Sequence, residues 1–276
     1  MDMTSNPLSK VLRTAQREKG VRVSARIVPK EVPVALSYGG TTHAVMMATP
    51  DDLEDFALGF SLTEGIVSSA SEIESINVQA LRVGYDVQIS LKDAANKRFE
   101  ARRRRLAGPV GCGLCGIESI EEAMRQVPSV AGTSWLIKPG EITQSVELLS
   151  LQQTLHKQTG AVHAAGLYIP GKGIVAVRED VGRHNALDKL AGALARQGLN
   201  AAEGAMVITS RVSVEMVQKA AAIGSPVLIA VSAPTALAIS TAEQCGMTMI
   251  ALVRGQEFDI FTHPERVRSG AAPNVA

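Results

Sequence analysis

The chain has 276 residues, with 28 Lys and Arg against 27 Asp and Glu, and its net charge of +1 makes no bulk case for a nucleic-acid-binding protein. Aromatic residues are only 3% of the total, few for a surface that reads stacked bases, and no apolar run reaches the ~18 residues of a membrane-spanning helix. Three cysteines do not suit a secreted disulfide framework and fit a reducing, cytoplasmic setting in which paired cysteines are catalytic or metal-binding.

Residues 1–20 carry Lys10, Arg13, Arg17 and Lys19 without an apolar stretch of signal-peptide length, and are expected to be a loose tail. From Val21 to Met47, short apolar runs flank the turn signal Tyr38-Gly39-Gly40 and suggest a small antiparallel sheet. A helix follows, with Thr49 as its cap, Pro50 at the first helical position and Asp51 and Asp52 complementing its dipole; Gly65 marks its end. Ile73 to Ala80 and Tyr85 to Leu91 read as two more strands. After them come the basic run Arg102 to Arg105, a glycine-rich loop at 108–116 and a helix from about 117.

Residues 128–143 look like a connection, with Trp135 packed at the junction. Beyond it, a helix over 144–157 ends near Gly160, and strands at 161–169 and 173–177 are joined by the turn Pro170-Gly171-Lys172. Then helices at 185–197, 214–222 and 235–245 alternate with strands at 205–209, 227–231 and 247–253, which calls for a largely parallel sheet covered on both faces. The expected organisation is a tail (1–20), a smaller, mixed and mainly β N-terminal domain with the cysteine loop (21–140), and an α/β domain (141–276).

Cys112 and Cys115 stand two residues apart in Gly108-Pro-Val-Gly-Cys-Gly-Leu-Cys-Gly116. The thiolate is the reactive form of cysteine, and guanidinium charges with a helix N-terminus lower a thiol pKa. Such a pair can close a disulfide, supply half a zinc site or carry sulfur as a persulfide. Zinc is the weakest reading: a closed site needs four ligands, and the remaining thiol, Cys245, reads as a buried helix residue. Redox or sulfur-transfer chemistry and an inert turn both stay open on spacing alone.

Arg178 to Lys189 form a charged cluster at a strand-to-helix junction, where open α/β sheets bind ligands. Exposed amides with Arg183 and Lys189 nearby could hold phosphate; the bland alternative is a solvated loop with an Asn185 cap and internal ion pairs. Thr209 to Ser213 and Ser232 to Thr235 end the next two strands, and capping accounts for Ser232. In a parallel sheet, His184, Ser210, Arg211, Ser213 and Thr235 would line one rim, joined by Leu252, Val253, Arg254, Gly255, Gln256 and Glu257 after the last long strand. Val162-His163-Ala164-Ala165 is similar to the His-x-Glu of zinc deaminases, but Ala165 occupies the place of the proton-shuttling glutamate. No metal site is expected.

Several of these stretches together resemble the formate dehydrogenase accessory proteins, the FdhD family. They are Ala57-Leu-Gly-Phe60 with Thr63-Glu-Gly-Ile66, Cys112-Gly-Leu-Cys-Gly116, Thr159 to Ala165, Glu179 to Lys189, Ser210-Arg-Val-Ser213, Val231 to Thr235 and Val253-Arg-Gly255. The resemblance implies a cytidine-deaminase-like αβ C-terminal domain and a sulfurtransferase that takes sulfur from a cysteine desulfurase as a Cys112 persulfide. It implies delivery to the molybdenum cofactor, bis(molybdopterin guanine dinucleotide), for the formate dehydrogenase catalytic subunit, with the 252–257 stretch in the cofactor site and a homodimer as the working form. No nucleic acid or membrane partner is expected. A thiol-disulfide oxidoreductase and a non-catalytic cofactor chaperone are the alternatives.

Overall fold

The computed structural model describes residues 6–106, 127–132 and 135–268, with the backbone only at 103–106. Cys112, Cys115 and the helix expected from 117 lie outside the described residues. The fold is mixed α/β, with three sheets and seven α-helices among the described residues.

The stretch expected as a tail supplies strand β1 (Leu8–Arg17), paired in continuous antiparallel register with β2 (Gly20–Pro29). A four-stranded sheet in the order β4-β3-β6-β5 follows, built from β3 (Val32–Tyr38), β4 (Thr41–Ala48), β5 (Ile73–Ala80) and β6 (Tyr85–Leu91). Helices α1 (Leu53–Thr63) and α2 (Asp93–Leu106) close its core, with Phe56, Phe60 and Phe99 packed on Leu36, Tyr38, Val87 and Ile89.

A six-stranded sheet in the order β12-β11-β10-β9-β7-β8 organises the second body. Its strands are β7 (His163–Ile169), β8 (Gly173–Asp180), β9 (Ala205–Ile208), β10 (Val227–Ala230), β11 (Thr248–Arg254) and β12 (Glu257–Ile260). Helices α3 (Pro139–Gln152), α4 (Thr154–Thr159), α5 (Arg183–Gln197), α6 (Val214–Ala222) and α7 (Ala236–Cys245) complete it. Side chains alternate across a strand, so Met206 and Ile208 of β9 join the core under α5, α6 and α7, while Ala205 and Val207 join Ile142 and Leu149 of α3. Burial on both faces explains the unbroken apolar runs.

Only β9, β10 and β11 are mutually parallel; β7 runs against β8 and β9, and β12 against β11. The hairpin turn sends β8 back along β7, and α5 then returns the chain to the far side of β7, leaving that strand antiparallel to both neighbours. The helix expected over 144–157 starts at Pro139 and breaks at Gln153. Glu179 causes the break, because its carboxylate accepts the amides of Leu155 (2.7 Å) and His156 (2.9 Å) and so caps a new helix. Trp135 donates its indole N–H to the Ala202 carbonyl at 2.7 Å and packs beside the core under α3.

α1 begins at Leu53, with Asp52 rather than Thr49 at its N-cap. Thr49 is committed elsewhere: its amide donates to Asp180 (2.9 Å), its hydroxyl accepts from Val181 (3.1 Å) and its carbonyl accepts from Lys189 (2.9 Å). α1 then packs backbone to backbone on α5. A Cβ at Gly59 would stand 1.7 Å from the Asp188 carbonyl oxygen, and one at Gly192 1.9 Å from that of Asp55. Gly59→Ala must therefore push the two helices apart, with an expected loss of about 3 kcal/mol or more in denaturant unfolding; an unchanged midpoint would show that the two helices yield freely.

Candidate functional site

The topology brings the sequence-selected residues to one edge of the six-stranded sheet. β9, β10 and β11 end there in parallel, and there too β7 begins and β8 ends, with His163 opposite Asp180. Three helices start at this edge: α5 at Arg183, α6 after Ser213 and α7 after Thr235. Their first amide groups and positive dipole ends face the rim, an arrangement that favours anions. Val212 and Pro234 bridge the loops that precede α6 and α7 and fix them side by side.

Arg183 opens α5, and its Nε is buried without a hydrogen-bond partner among the described residues. The neighbouring His184 Nε2 is likewise buried without a hydrogen bond among the described residues, 3.8 Å from a Glu215 carboxylate oxygen. Burial, then Arg183 and Lys219, push the His184 imidazole down to about 4 against the pull of Glu215 and Glu64, so it is neutral at pH 7. Burial, followed by Arg183 and His156, also lowers His163 below the usual histidine range. The rim thus presents a guanidinium and a neutral imidazole at the start of α5 and a second imidazole at the start of β7, a donor set suited to phosphate oxygens.

The other selected residues divide between structure and surface. Ser210 is buried and donates to the Arg211 carbonyl at 3.0 Å, while Arg211 is exposed. Ser213 holds the N-cap position of α6 without a side-chain cap bond. Thr235 caps α7 by accepting the Ala238 amide at 3.3 Å, the role expected of Ser232. Leu252 adopts a left-handed φ of 58° at a β-bulge, with its amide directed to the Ser232 carbonyl at 3.5 Å. Val253 is core, and Arg254, Gly255, Gln256 and Glu257 form the exposed β11–β12 turn.

Two readings of the 178–189 cluster need correction. Lys189 is unavailable to a ligand, because it is fully buried 2.7 Å from Asp180. Asn185 lies inside α5 rather than at its cap and donates to Asp180 (2.9 Å) and to the Met47 carbonyl (2.8 Å). The loop is no solvated strand of charges, since Asp180 also accepts the Gly182 amide at 2.7 Å and fixes how α5 begins.

A second buried network stands behind the rim. Lys219 of α6 donates to both Asp188 oxygens (2.9 and 3.0 Å), to Thr63 and to Glu64, and lies over the Phe60 ring. Burial alone would lower the Lys219 pKa, but Asp188 and Glu64 outweigh it and hold the ammonium protonated. Lys219, Glu215 and Asp188 escaped selection by sequence. The available signal was a lysine on the inner face of a mainly apolar helix, Met216-Val-Gln-Lys-Ala-Ala221. Arg102, the first of the basic run, donates to the carbonyls of Glu64 (2.9 Å) and Gly65 (3.5 Å) at the end of α1. Among the described residues no three His, Cys, Asp or Glu side chains gather as metal ligands, and no helix is long and apolar enough to cross a membrane.

These features define a mixed α/β protein whose candidate site is a sheet edge rich in helix starts, ordered by buried ion pairs. The chain belongs to the FdhD/NarQ family, whose family model matches residues 29–268. It is 58% identical over 258 residues to the sulfur carrier protein FdhD of Agrobacterium fabrum, covering 94% of this chain and 95% of that protein. Identity to the protein of the same name from Brucella abortus is 56%, over 96% of this chain and 99% of that one. The fold matches a crystal structure assigned as a formate dehydrogenase accessory protein from Desulfotalea psychrophila, with TM-score 0.77, 25% identity, and 95% of this chain and 100% of that chain covered.

Two measurements probe the site. Lys219→Ala leaves Asp188 buried without its cation and is expected to cost about 3–5 kcal/mol in urea unfolding; a loss below 1 kcal/mol would deny the network that weight. For His184, the ordinary pKa of 6.5 falls to about 4 on folding, so the unfolded chain binds the extra proton between these values. Its contribution is complete above pH 6.5 and is lost as pH falls toward 4. Between pH 7 and 5 the wild type should lose about 2 kcal/mol more than His184→Gln, and parallel pH profiles of the two proteins would contradict this.

Proposed function

We propose that this chain is a sulfur carrier with sulfurtransferase activity, loaded by a cysteine desulfurase and discharging to bis(molybdopterin guanine dinucleotide) molybdenum cofactor for formate dehydrogenase, in the cytoplasm. The observation that carries the reading is the near full-length identity of 56–58% to relatives named as sulfur carriers. The rim supports it, because a substrate with two pyrophosphates calls for helix starts, a guanidinium with a free N–H and neutral donors in one place. Arg183, His184, Ser213, Thr235 and the exposed Arg211 and Arg254 are the residues we assign to that contact, with Ser210 and Leu252 shaping the loops. On this reading the second body is deaminase-like, with the starts of α5 and α6 serving an anionic ligand instead of zinc.

Sulfur handling falls to Cys112 and Cys115. The Cys112 thiolate attacks the outer sulfur of the desulfurase persulfide; that S–S bond breaks, the outer sulfur becomes part of a Cys112 persulfide, and the desulfurase thiolate leaves. Cys115 then attacks the Cys112 sulfur, closing a disulfide and releasing the outer atom as sulfide to the molybdenum, after which a cellular dithiol reduces the pair. Arg102 ties α2 to the end of α1, where Glu64 meets Lys219, and Cys112 follows Leu106 by six residues in the sequence.

Peptide mass analysis after incubation with a cysteine desulfurase and cysteine should find one added sulfur on Cys112. Cys112→Ala should abolish both this adduct and formate dehydrogenase activation, and Cys115→Ala should retain the adduct while slowing its discharge. Activation by Cys112→Ala would leave a chaperone role in place of sulfur transfer. Reduction of a model disulfide without any persulfide adduct would mark an oxidoreductase.

A further inference from the structure

The rim holds one group whose charge opposes the rest. Glu215 is the second residue of α6, and its side chain is 38% exposed with a carboxylate oxygen 3.8 Å from His184 Nε2. Burial works against its charge, but Ser213, its own backbone amide, His184 and Arg183 outweigh burial and hold Glu215 below the usual carboxylate range, so it is an anion at pH 7. No lysine or arginine forms an ion pair with it among the described residues. His184 is neutral at pH 7 and does not take up the charge either.

The dipole of α6 favours an acid in its first turn, which accounts for the charge but not for its surroundings. His184 Nε2, Ser213 Oγ and Arg183 Nε are all buried beside it without a hydrogen bond among the described residues. An ionised carboxylate only accepts hydrogen bonds, and its two oxygens match a planar pair of N–H groups. Set among groups suited to phosphate, it calls for a ligand that carries both phosphate and such a pair. The molybdenum cofactor of the proposed function has the pair at both ends, because guanine and pterin share a 2-amino-4-oxopyrimidine edge with a ring N–H beside an exocyclic amino group.

We infer that Glu215 is the specificity-determining residue of the rim, its carboxylate accepting the ring N–H and the amino group of a 2-amino-4-oxopyrimidine ring, a role that rests on the rim being the cofactor contact. The start of α7 offers such a flat ring an apolar ledge: the Val212–Pro234 bridge holds it beside the start of α6, and Ala233, Ala236 and Leu237 are exposed there. Adenine is refused by the same geometry. It turns a ring-nitrogen lone pair toward the carboxylate where guanine offers N–H, so two acceptors would face each other.

Calorimetric titration of the full chain with GDP, inosine diphosphate and ADP tests the assignment, since the three share their phosphates and differ at the base edge. The wild type should bind GDP about tenfold tighter than ADP and about fivefold tighter than inosine diphosphate, which lacks the amino group. Glu215→Gln keeps the side-chain shape but turns an NH2 toward the ligand's donors, and should bring all three nucleotides within about threefold of one another. Inorganic pyrophosphate should bind this variant no more weakly than it binds the wild type, because a negative charge has left the rim. A glutamate that served only the stability of α6 would instead weaken every ligand alike. Pterin-6-carboxylate against lumazine-6-carboxylate, which differ by the same amino group, tells which ring is read: selectivity in this pair that Glu215→Gln loses assigns the pterin end, and selectivity lost among the nucleotides assigns the guanine end. No preference in either series, or a preference that Glu215→Gln retains, overturns the role of Glu215 and leaves the rim as an anion site. A wild type that binds neither GDP nor pyrophosphate overturns the rim reading itself, and the role of Glu215 with it.

Discussion

Asp180 accepts the amides of Thr49 and Gly182, the side-chain amide of Asn185 and the ammonium of Lys189, so one carboxylate ends β8, starts α5 and holds the loop before α1. Asp180 and Lys189 are both fully buried. Ion pairs in that setting seldom add net stability over an apolar replacement. Here the carboxylate also satisfies two backbone amides, which no apolar residue could do. What it supplies is position: the two bodies meet in a single register, and Arg183 and His184 stand where α5 is forced to begin.

The glycine contact between α1 and α5 extends the same constraint. With no Cβ at Gly59 or Gly192, the two backbones come close enough for Thr63 to reach Asp188 and for Glu64 to reach Lys219. Arg102 then secures α2 to the last carbonyls of α1. A chain of short polar contacts therefore runs from β8 through α5, α1 and α2 to the start of the cysteine-bearing segment.

Much of the fold was legible because the strands are short apolar or alternating runs and the helices have clear periods; helix 214–222 of the second body and strands 73–80 and 85–91 of the first match their expected bounds. The rim followed from strand order alone. Sequence reasoning failed where a local signal was overridden at long range. Thr49 is a sound cap residue that Asp180 and Lys189 draw into another role, and Glu179 breaks a helix from a strand more than twenty residues away. Residues 8–17 misled because β1 gains its order from β2 and not from a core of its own. The burial of Lys189 and Lys219 was invisible for a related reason: a lysine looks solvated until its carboxylate partner is placed beside it.

Cys245 ends α7 with its thiol buried against the Ala242 carbonyl, and burial pushes that thiol up and away from the reactive thiolate form. Among the described residues it is the one cysteine, and it is sealed from reagents. While the fold holds, a thiol-directed alkylating agent, a sulfane donor or an oxidant therefore leaves Cys245 untouched. Modification at Cys245 accordingly serves as a built-in reporter of opening of the α7 core.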